Sequence, residues 1–139
     1  TYVRNPPTTA HTPRSEMGCT IFVKLWQFEM DDRNQFHKTM VDECAEPLGG
    51  IATAQLHRDA HETVTYSELD AGAMLENLDA GGIEMLVIAG SVVENGELLG
   101  KGAWLRLPNG QNLRVFAGNS GAKIWMKTGH LAHTKPPLV

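Results

Sequence analysis

The sequence predicts an all-β, antiparallel protein, and three observations support this. Short runs rich in β-branched and aromatic residues recur along the chain, and Gly, Asn or Pro separates them. The 139 residues include 14 Gly and 7 Pro, which indicates frequent turns. A single segment, Gln35–Ala45, has apolar spacing that suits a helix. Many short strands joined by turns are typical of a sandwich or a barrel.

Several segments carry the strand signal. They are Cys19–Leu25, Glu62–Leu69, Glu84–Val93, Ala103–Leu107 and Ala122–Lys127. The dipeptide Asn95-Gly96 predicts a tight hairpin, because both residue types tolerate the positive φ angles of a type I′ turn. Pro108-Asn109-Gly110 predicts a second turn. Gln35–Ala45 is short and has no firm cap, so a helix and a strand are equally compatible with it.

Composition excludes some classes of function. Lys and Arg total 12 against 16 Asp and Glu, for a net charge of −4, and no basic run is present to neutralise phosphates. We therefore expect no nucleic-acid partner. No apolar stretch approaches the roughly 20 residues that cross a bilayer, so no membrane partner is expected either. Two cysteines make no disulfide framework, which favours a reducing, cytoplasmic location.

An internal repeat relates the start of the chain to its end. In two registers separated by one inserted residue, the matched pairs are Tyr2 with Trp104, Val3 with Leu105, Arg4 with Arg106, Pro6 with Pro108, Gly18 with Gly121, Ile21 with Ile124, Phe22 with Trp125 and Lys24 with Lys127. A long β-rich stretch precedes the second copy, and nothing precedes the first. We therefore expect residues 1–45 to be the second half of one unit plus a linker strand, and residues 46–139 to be a complete second unit. The first unit would belong to a longer protein, or its sheet would be completed by strands supplied from elsewhere.

Both copies resemble one family. The first contributes Val3-Arg4-Asn5-Pro6-Pro7, His11, Gly18-Cys19 and Phe22-Val23-Lys24-Leu25. The second contributes Gly81-Gly82, Leu86-Val87-Ile88, Gly90, Gly102-Ala103-Trp104-Leu105-Arg106 and Lys127-Thr128-Gly129-His130-Leu131. These segments resemble cupins of the ChrR type, which are the sensor domains of zinc-binding anti-sigma factors, and their tandem-cupin relatives. The resemblance implies a cupin jelly-roll, an antiparallel β-barrel whose metal ligands point inward.

The ligand pattern that the resemblance implies is degenerate in the second unit. The two His positions of a His-x-His pair hold Asn77 and Asp79, the Glu position holds Ile83, and the closing His position holds Leu113. Two aliphatic side chains cannot bind a metal. We therefore expect no metal in this barrel, and an apolar plug formed by Ile83 and Leu113. His11 occupies the closing position of the first unit, and its partners would lie upstream of Thr1; it is the candidate ligand for zinc or another divalent metal.

Other His and Cys residues have ordinary structural interpretations. His57 and His61 lack the Glu of a His-Glu-x-x-His motif and are interpreted as surface residues of a linker. His130 and His133 lie near Lys135-Pro136-Pro137 and are interpreted as part of a tail. Cys19 is expected to be a buried structural thiol. Acidic residues near Cys44 are expected to raise its pKa and make it unreactive.

Three functions are compatible with the sequence. The first is a non-catalytic regulatory or sensor module, in which a sigma factor would bind only through a segment absent from this chain. The second is a metal-dependent cupin enzyme, a small-molecule dioxygenase or isomerase, with its site in the incomplete first barrel. The third is a carbohydrate-binding sandwich, which the few Tyr and Trp residues support poorly. Edge strands left by a half-barrel favour a homo-oligomer.

Overall fold

A computed structural model describes residues 1–79 and 81–133 of the chain. Contacts divide these residues into two units, residues 1–38 and residues 39–133. The prediction of an all-β, antiparallel protein is confirmed, since the described residues contain strands and short 3₁₀ turns but no α-helix. No helix in this part of the chain is long and apolar enough to cross a membrane.

The first unit contains one short antiparallel pair. Strand β1, Tyr2–Arg4, pairs with strand β2, Phe36–Lys38. The Arg4 guanidinium donates hydrogen bonds to the Asp32 carboxylate, with Nη1 2.8 Å from Oδ1. This ion pair links the first strand to the loop that leads into the second.

The strand predicted at Cys19–Leu25 is not formed, and that prediction is wrong. Ile21, Val23 and Leu25 are exposed instead, and so is Cys19, which the sequence had indicated to be buried. A strand needs neighbouring strands to satisfy its N–H and C=O groups, and no described strand pairs with this segment. High β-propensity without a partner therefore does not produce a strand here.

The two copies of the proposed repeat share secondary structure only in their first part. β1 occupies the position that corresponds to the Trp104–Leu107 strand, as the match of Arg4 with Arg106 requires. The segment that begins at Gly18 is irregular, whereas the matching residues from Gly121 onward lie in a long strand. The interpretation of residues 1–45 as half of a cupin stays a prediction.

The second unit contains seven strands. They are β3 (Ile51–Arg58), β4 (Thr63–Leu69), β5 (Met74–Asn77), β6 (Ile83–Glu94), β7 (Glu97–Gly100), β8 (Trp104–Leu107) and β9 (Leu113–Thr128). They form one sheet in the order β3-β4-β9-β6-β7, with β5 also paired to β9 and β8 to β6. The 16-residue strand β9 lies at the centre, because it pairs with β4 and β5 along one edge and with β6 along the other.

Both predicted turns are present. Asn95 and Gly96 have φ angles of 47° and 83°, and they join β6 to β7 with Glu94 paired to Glu97. This is the positive-φ geometry of a type I′ hairpin. Between β8 and β9, the Gln111 N–H donates to the Pro108 carbonyl oxygen, and Gly110 has a φ of 85°. The Asn-Gly and Pro-Asn-Gly signals therefore located these turns correctly.

The segment Gln35–Ala45 forms neither a helix nor one continuous strand. Strand β2 ends at Lys38, and a 3₁₀ turn covers Val41–Glu43. Met40 precedes that turn and makes no side-chain capping hydrogen bond. Without a cap and with no buried residue, the turn does not extend into an α-helix.

The apolar core of the second unit lies on one face of the sheet. Its members come from several strands and alternate along each of them, as a period of two requires. They are Leu69, Leu75, Ile83, Met85, Val87, Val92, Leu113, Val115, Ala117, Ala122, Ile124 and Met126. Of the four residues that the resemblance places at ligand positions, Ile83 and Leu113 belong to this core.

Candidate functional site

The residues at the degenerate ligand positions have structural roles. Ile83 and Leu113 are 1% and 0% exposed and belong to the apolar core. Asn77 and Asp79 form a turn between β5 and β6. The Asn77 carbonyl oxygen Oδ1 accepts from the Asp79 N–H at 2.9 Å, and Asp79 Oδ1 accepts from the Gly81 N–H at 2.8 Å. Asp79 therefore has the donor that a partly buried carboxylate needs.

His11 lies in the irregular part of the first unit. The chain around it forms no strand, and its side chain is exposed. No group of three metal-ligating side chains within the described residues includes it. Its role as a ligand stays a prediction about a protein that supplies further partners.

The chemically rich face of the second unit is the one opposite the core. Paired residues of adjacent strands lie on the same face, so the pairing register defines a row across the sheet. That row runs through His57 of β3, Val64 of β4, Lys127 of β9, Glu84 of β6 and Arg106 of β8. Of these five, His57, Val64, Lys127 and Glu84 are buried. Three strands therefore each place a titratable or charged side chain on this face in a water-poor environment, with Val64 between His57 and Lys127.

Ion pairs connect the members of this row to the chain beside it. Lys127 Nζ contacts Glu62 Oε2, and the two side chains are 2% and 8% exposed. Glu84 Oε2 lies 3.0 Å from His130 Nε2, and Glu84 Oε1 lies 3.7 Å from Arg106 Nε. A buried charge is tolerated when it is paired in this way.

Two interpretations based on sequence are wrong at this face. His57 is a buried residue at the end of β3, not a surface residue of a linker. His130 is also buried, in a 3₁₀ turn over His130–Ala132 that follows Gly129, and it contacts Glu84 instead of lying in a tail. His61 and His133 are exposed. The tail residues Lys135, Pro136 and Pro137 lie outside the described residues.

His57, Asp59 and Glu62 form the one group of three close metal-ligating side chains found in residues 1–79 and 81–133. One donor atom from each lies within 4.8 Å of the other two. His57 Nε2 is 3.0 Å from Asp59 Oδ2. The β3–β4 hairpin brings the three residues together, because the Asp59 N–H donates to the Glu62 carbonyl oxygen at 3.0 Å.

The Asp59 carboxylate is held in a fixed orientation. Its Oδ1 accepts from the His61 N–H at 2.8 Å and from the Glu62 N–H at 2.9 Å. Burial by itself would raise the pKa of this carboxyl group, but the N–H of His61, the His57 ring and the N–H of Glu62 together lower it below its ordinary value. Asp59 is therefore an anion at neutral pH, and its Oδ2 faces the imidazole.

A shallow polar depression of about 270 Å³ adjoins this hairpin. Asp59, His61 and Glu62 line one part of it, and Asp79 and His133 line another. The rings of His61 and His133 meet edge to face with their centroids 4.7 Å apart. Solvent and small ions therefore have access to the side chains of the hairpin end.

The sequence contained a signal for this group, which sequence reasoning missed. His57 and His61 are four residues apart, which is the spacing of the His residues in a helical His-Glu-x-x-His motif. On a strand the relevant spacing is two, which places His57 and Asp59 on one face. Glu62 then returns to that face after the hairpin turn, two residues before Val64. A hairpin interpretation of residues 57–62 would have found all three residues.

A second group of polar side chains lies at the other end of β4. The Tyr66 hydroxyl donates to Glu68 Oε1 at 2.7 Å, and Lys123 Nζ lies 2.9 Å from the same oxygen. These two contacts lower the pKa of Glu68. Burial, and then the charge of Glu68, raises the pKa of the Cys44 thiol. The expected direction for Cys44 is confirmed, but its causes are burial and the charge of Glu68, not the acidic neighbours in sequence.

Comparison with solved structures identifies the fold, whereas comparison of sequences identifies no family. No family model matches the sequence, and no curated protein matches it. Among solved structures, a protein of unknown function with a cupin-like fold from Ralstonia eutropha JMP134 is similar, with a TM-score of 0.52 and 17% identity over 58% of this chain. The match covers 55% of the Ralstonia protein, so the chain spans about half the length of that relative.

Two further similar structures belong to proteins whose names state an activity or a binding partner. An acetylacetone dioxygenase from Acinetobacter johnsonii has a TM-score of 0.61 and 14% identity, over 73% of this chain and 77% of that one. A chain of the Rhodobacter sphaeroides complex between SigE and the anti-sigma ChrR has a TM-score of 0.55 and 15% identity, over 61% of this chain and 47% of that one. At these identities the likeness shows the fold alone. The chain is all-β with antiparallel sheets, and its fold is cupin-like.

Proposed function

We propose that this chain is a non-catalytic regulatory or sensor module of the tandem-cupin kind, resembling the C-terminal part of ChrR-type anti-sigma factors. One observation carries the proposal: Ile83 and Leu113, which the resemblance places at two of the four ligand positions, lie in the apolar core of the second unit. Ile83 and Leu113 are buried there, and neither has a lone pair to offer a cation.

The remaining two positions support the same conclusion. Asn77 Oδ1 and Asp79 Oδ1 are used as acceptors within the turn before β6. A metal would have to compete with those hydrogen bonds and would gain only oxygen ligands from one side. A unit arranged in this way is suited to packing and recognition and not to activating a small molecule.

Similarity to a chain of the SigE–ChrR complex supports a regulatory role over a purely structural one. A sigma factor would bind through a segment that is not part of this chain. A divalent metal, with His11 as one ligand, would belong to the first unit. We also expect a homo-oligomer, which light scattering on a size-exclusion column measures directly, and a monomer would contradict that expectation.

The regulatory proposal predicts an effect on transcripts and not on a metabolite. Deleting the coding region in the source organism should change the transcript levels of a small gene set. The wild-type gene should restore them, and so should the Asn77→Ala/Asp79→Ala double variant if that variant folds. Unchanged transcript levels on deletion, or a requirement for oxygen ligands at these two positions, would contradict the proposal.

A metal-dependent enzyme with its site in the first unit is the second candidate. The similarity to an acetylacetone dioxygenase favours it. The test is oxygen consumption by the full-length protein with Fe(II) and acetylacetone. Turnover that His11→Ala abolishes would replace the regulatory proposal, and absence of turnover would exclude this particular dioxygenase reaction.

A further inference from the structure

The end of the β3–β4 hairpin combines one imidazole and two carboxylates on a single face. His57 and Glu62 are 8% and 9% exposed, while Asp59 extends toward the adjacent depression. This face is opposite the apolar core, so the group is separate from the ligand positions that a cupin of the ChrR type would use. It is also independent of the proposed regulatory role.

The donor atoms have a spacing suited to a small divalent cation. His57 Nε2 and Asp59 Oδ2 are 3.0 Å apart. Two ligands at right angles, each about 2.1 Å from a metal, are separated by about 3 Å. A donor atom of Glu62 lies within 4.8 Å of both, so the three side chains present their donor atoms to one small volume.

Glu62 supplies an independent indication of a cation. Its Oε1 is fully buried and has no hydrogen-bond partner in the described structure, whereas Oε2 contacts Lys127. A buried carboxylate oxygen with no donor is costly, and an ion is one of the groups that satisfies it. Lys127 would hold the carboxylate in place, as hydrogen-bonded partners of metal-binding carboxylates commonly do.

We propose that His57, Asp59 and Glu62 bind one divalent transition-metal ion, with water completing its coordination from the side of the depression. One nitrogen and two carboxylate oxygens suit Zn²⁺, Mn²⁺, Fe²⁺ or Co²⁺. Two carboxylates, one of them balanced by Lys127, provide net negative charge for the cation. The depression gives the ion a path from solvent.

The test is metal binding by the full chain without an affinity tag. After chelator treatment and dialysis, calorimetry with Zn²⁺ should give one equivalent bound, and Co²⁺ should give visible absorption bands that Zn²⁺ abolishes. His57→Gln and Asp59→Asn should each weaken binding at least tenfold. Asp59→Asn keeps an oxygen that can accept from the N–H groups of the turn, so it decides the question if His57→Gln does not fold.

Two matched variants serve as controls. Asp79→Asn removes the same charge from the same depression, and His11→Ala removes an imidazole from the first unit; both should bind Zn²⁺ as the wild type does. The proposal is overturned if no stoichiometric Zn²⁺ binds, if binding survives Asp59→Asn, or if His11→Ala abolishes it. That last result would place the metal in the first unit and leave the regulatory and enzymatic proposals to be decided by their own tests.

Discussion

The ammonium group of Lys127 and the carboxylate of Glu62 form an ion pair from which solvent is almost excluded. Lys127 lies on the central strand β9, between Val64 of β4 and Glu84 of β6. The pair therefore links the edge of the β3–β4 hairpin to the middle of the sheet, and a change in either residue affects both regions.

Lys127→Met should destabilise the protein strongly, because it leaves the Glu62 carboxylate buried without its cation. Removing one partner of a buried pair costs about 3–5 kcal/mol. The double variant Lys127→Met/Glu62→Leu should recover much of that loss, since neither charge of this pair is then left without its partner. Urea denaturation measures the free energy of unfolding of both. If the double variant is no more stable than Lys127→Met, the unpaired Glu62 carboxylate is not the cause of the destabilisation.

Leu113→Ala should destabilise the second unit by about 2–5 kcal/mol, because it opens a cavity in the apolar core. Leu98→Ala is the matched control, since Leu98 is exposed on β7 and its truncation should change stability by less than about 0.5 kcal/mol. Urea denaturation measures the free energy of unfolding of both variants. Equal effects would mean that the position occupied by Leu113 is not packed as the structure shows.

Glu68→Gln should reduce stability at pH 7 by about 0.2–1 kcal/mol, the range measured for exposed ion pairs. The pKa of Glu68 is lower in the folded state because Tyr66 and Lys123 stabilise the carboxylate. Its contribution is therefore complete above the unfolded-state pKa and is lost as the pH falls through the folded-state pKa. The difference between wild type and variant should shrink from pH 6 to pH 3, and a difference that stays constant over this range would contradict the prediction.

The two cysteines should differ in their rates of modification by a thiol reagent. Cys19 is exposed, whereas burial and the charge of Glu68 raise the pKa of the half-buried Cys44. Fewer thiolates form at Cys44, and the reagent has less access. With Ellman's reagent at pH 7.5, the Cys19→Ser variant should react at least tenfold more slowly than Cys44→Ser. Similar rates in the two variants would contradict the burial of Cys44.

Local chemistry explains which parts of the fold were predictable from the sequence. Asn95-Gly96 and Pro108-Asn109-Gly110 act through their own backbone preferences, so the turns were predicted correctly. Glu84–Val93 and Ala122–Lys127 find partners in the sheet and form strands. Cys19–Leu25 has the same composition but no described partner strand, and propensity alone cannot supply one.

The candidate metal group was missed because of an assumption about spacing. The four-residue spacing of His57 and His61 matches a helical pattern, whereas the hairpin brings His57 close to Asp59 and Glu62. The burial of His130 was also not predictable, because its contact with Glu84 depends on residues that are distant in sequence. Both the candidate metal group and the His130 contact depend on the pairing register of the strands. The sequence determines that register only once the whole sheet has formed.

The position of β9 has a consequence for the order in which the second unit assembles. β4 and β6 have no ladder with each other and are joined only through β9, which is the last strand of the sheet in chain order. During synthesis the two hairpins, β3 with β4 and β6 with β7, can form early, but they stay separate until the ribosome releases residues 113–128. Until β9 emerges, the nascent chain exposes the unpaired edges of β4 and β6, and such edges favour aggregation.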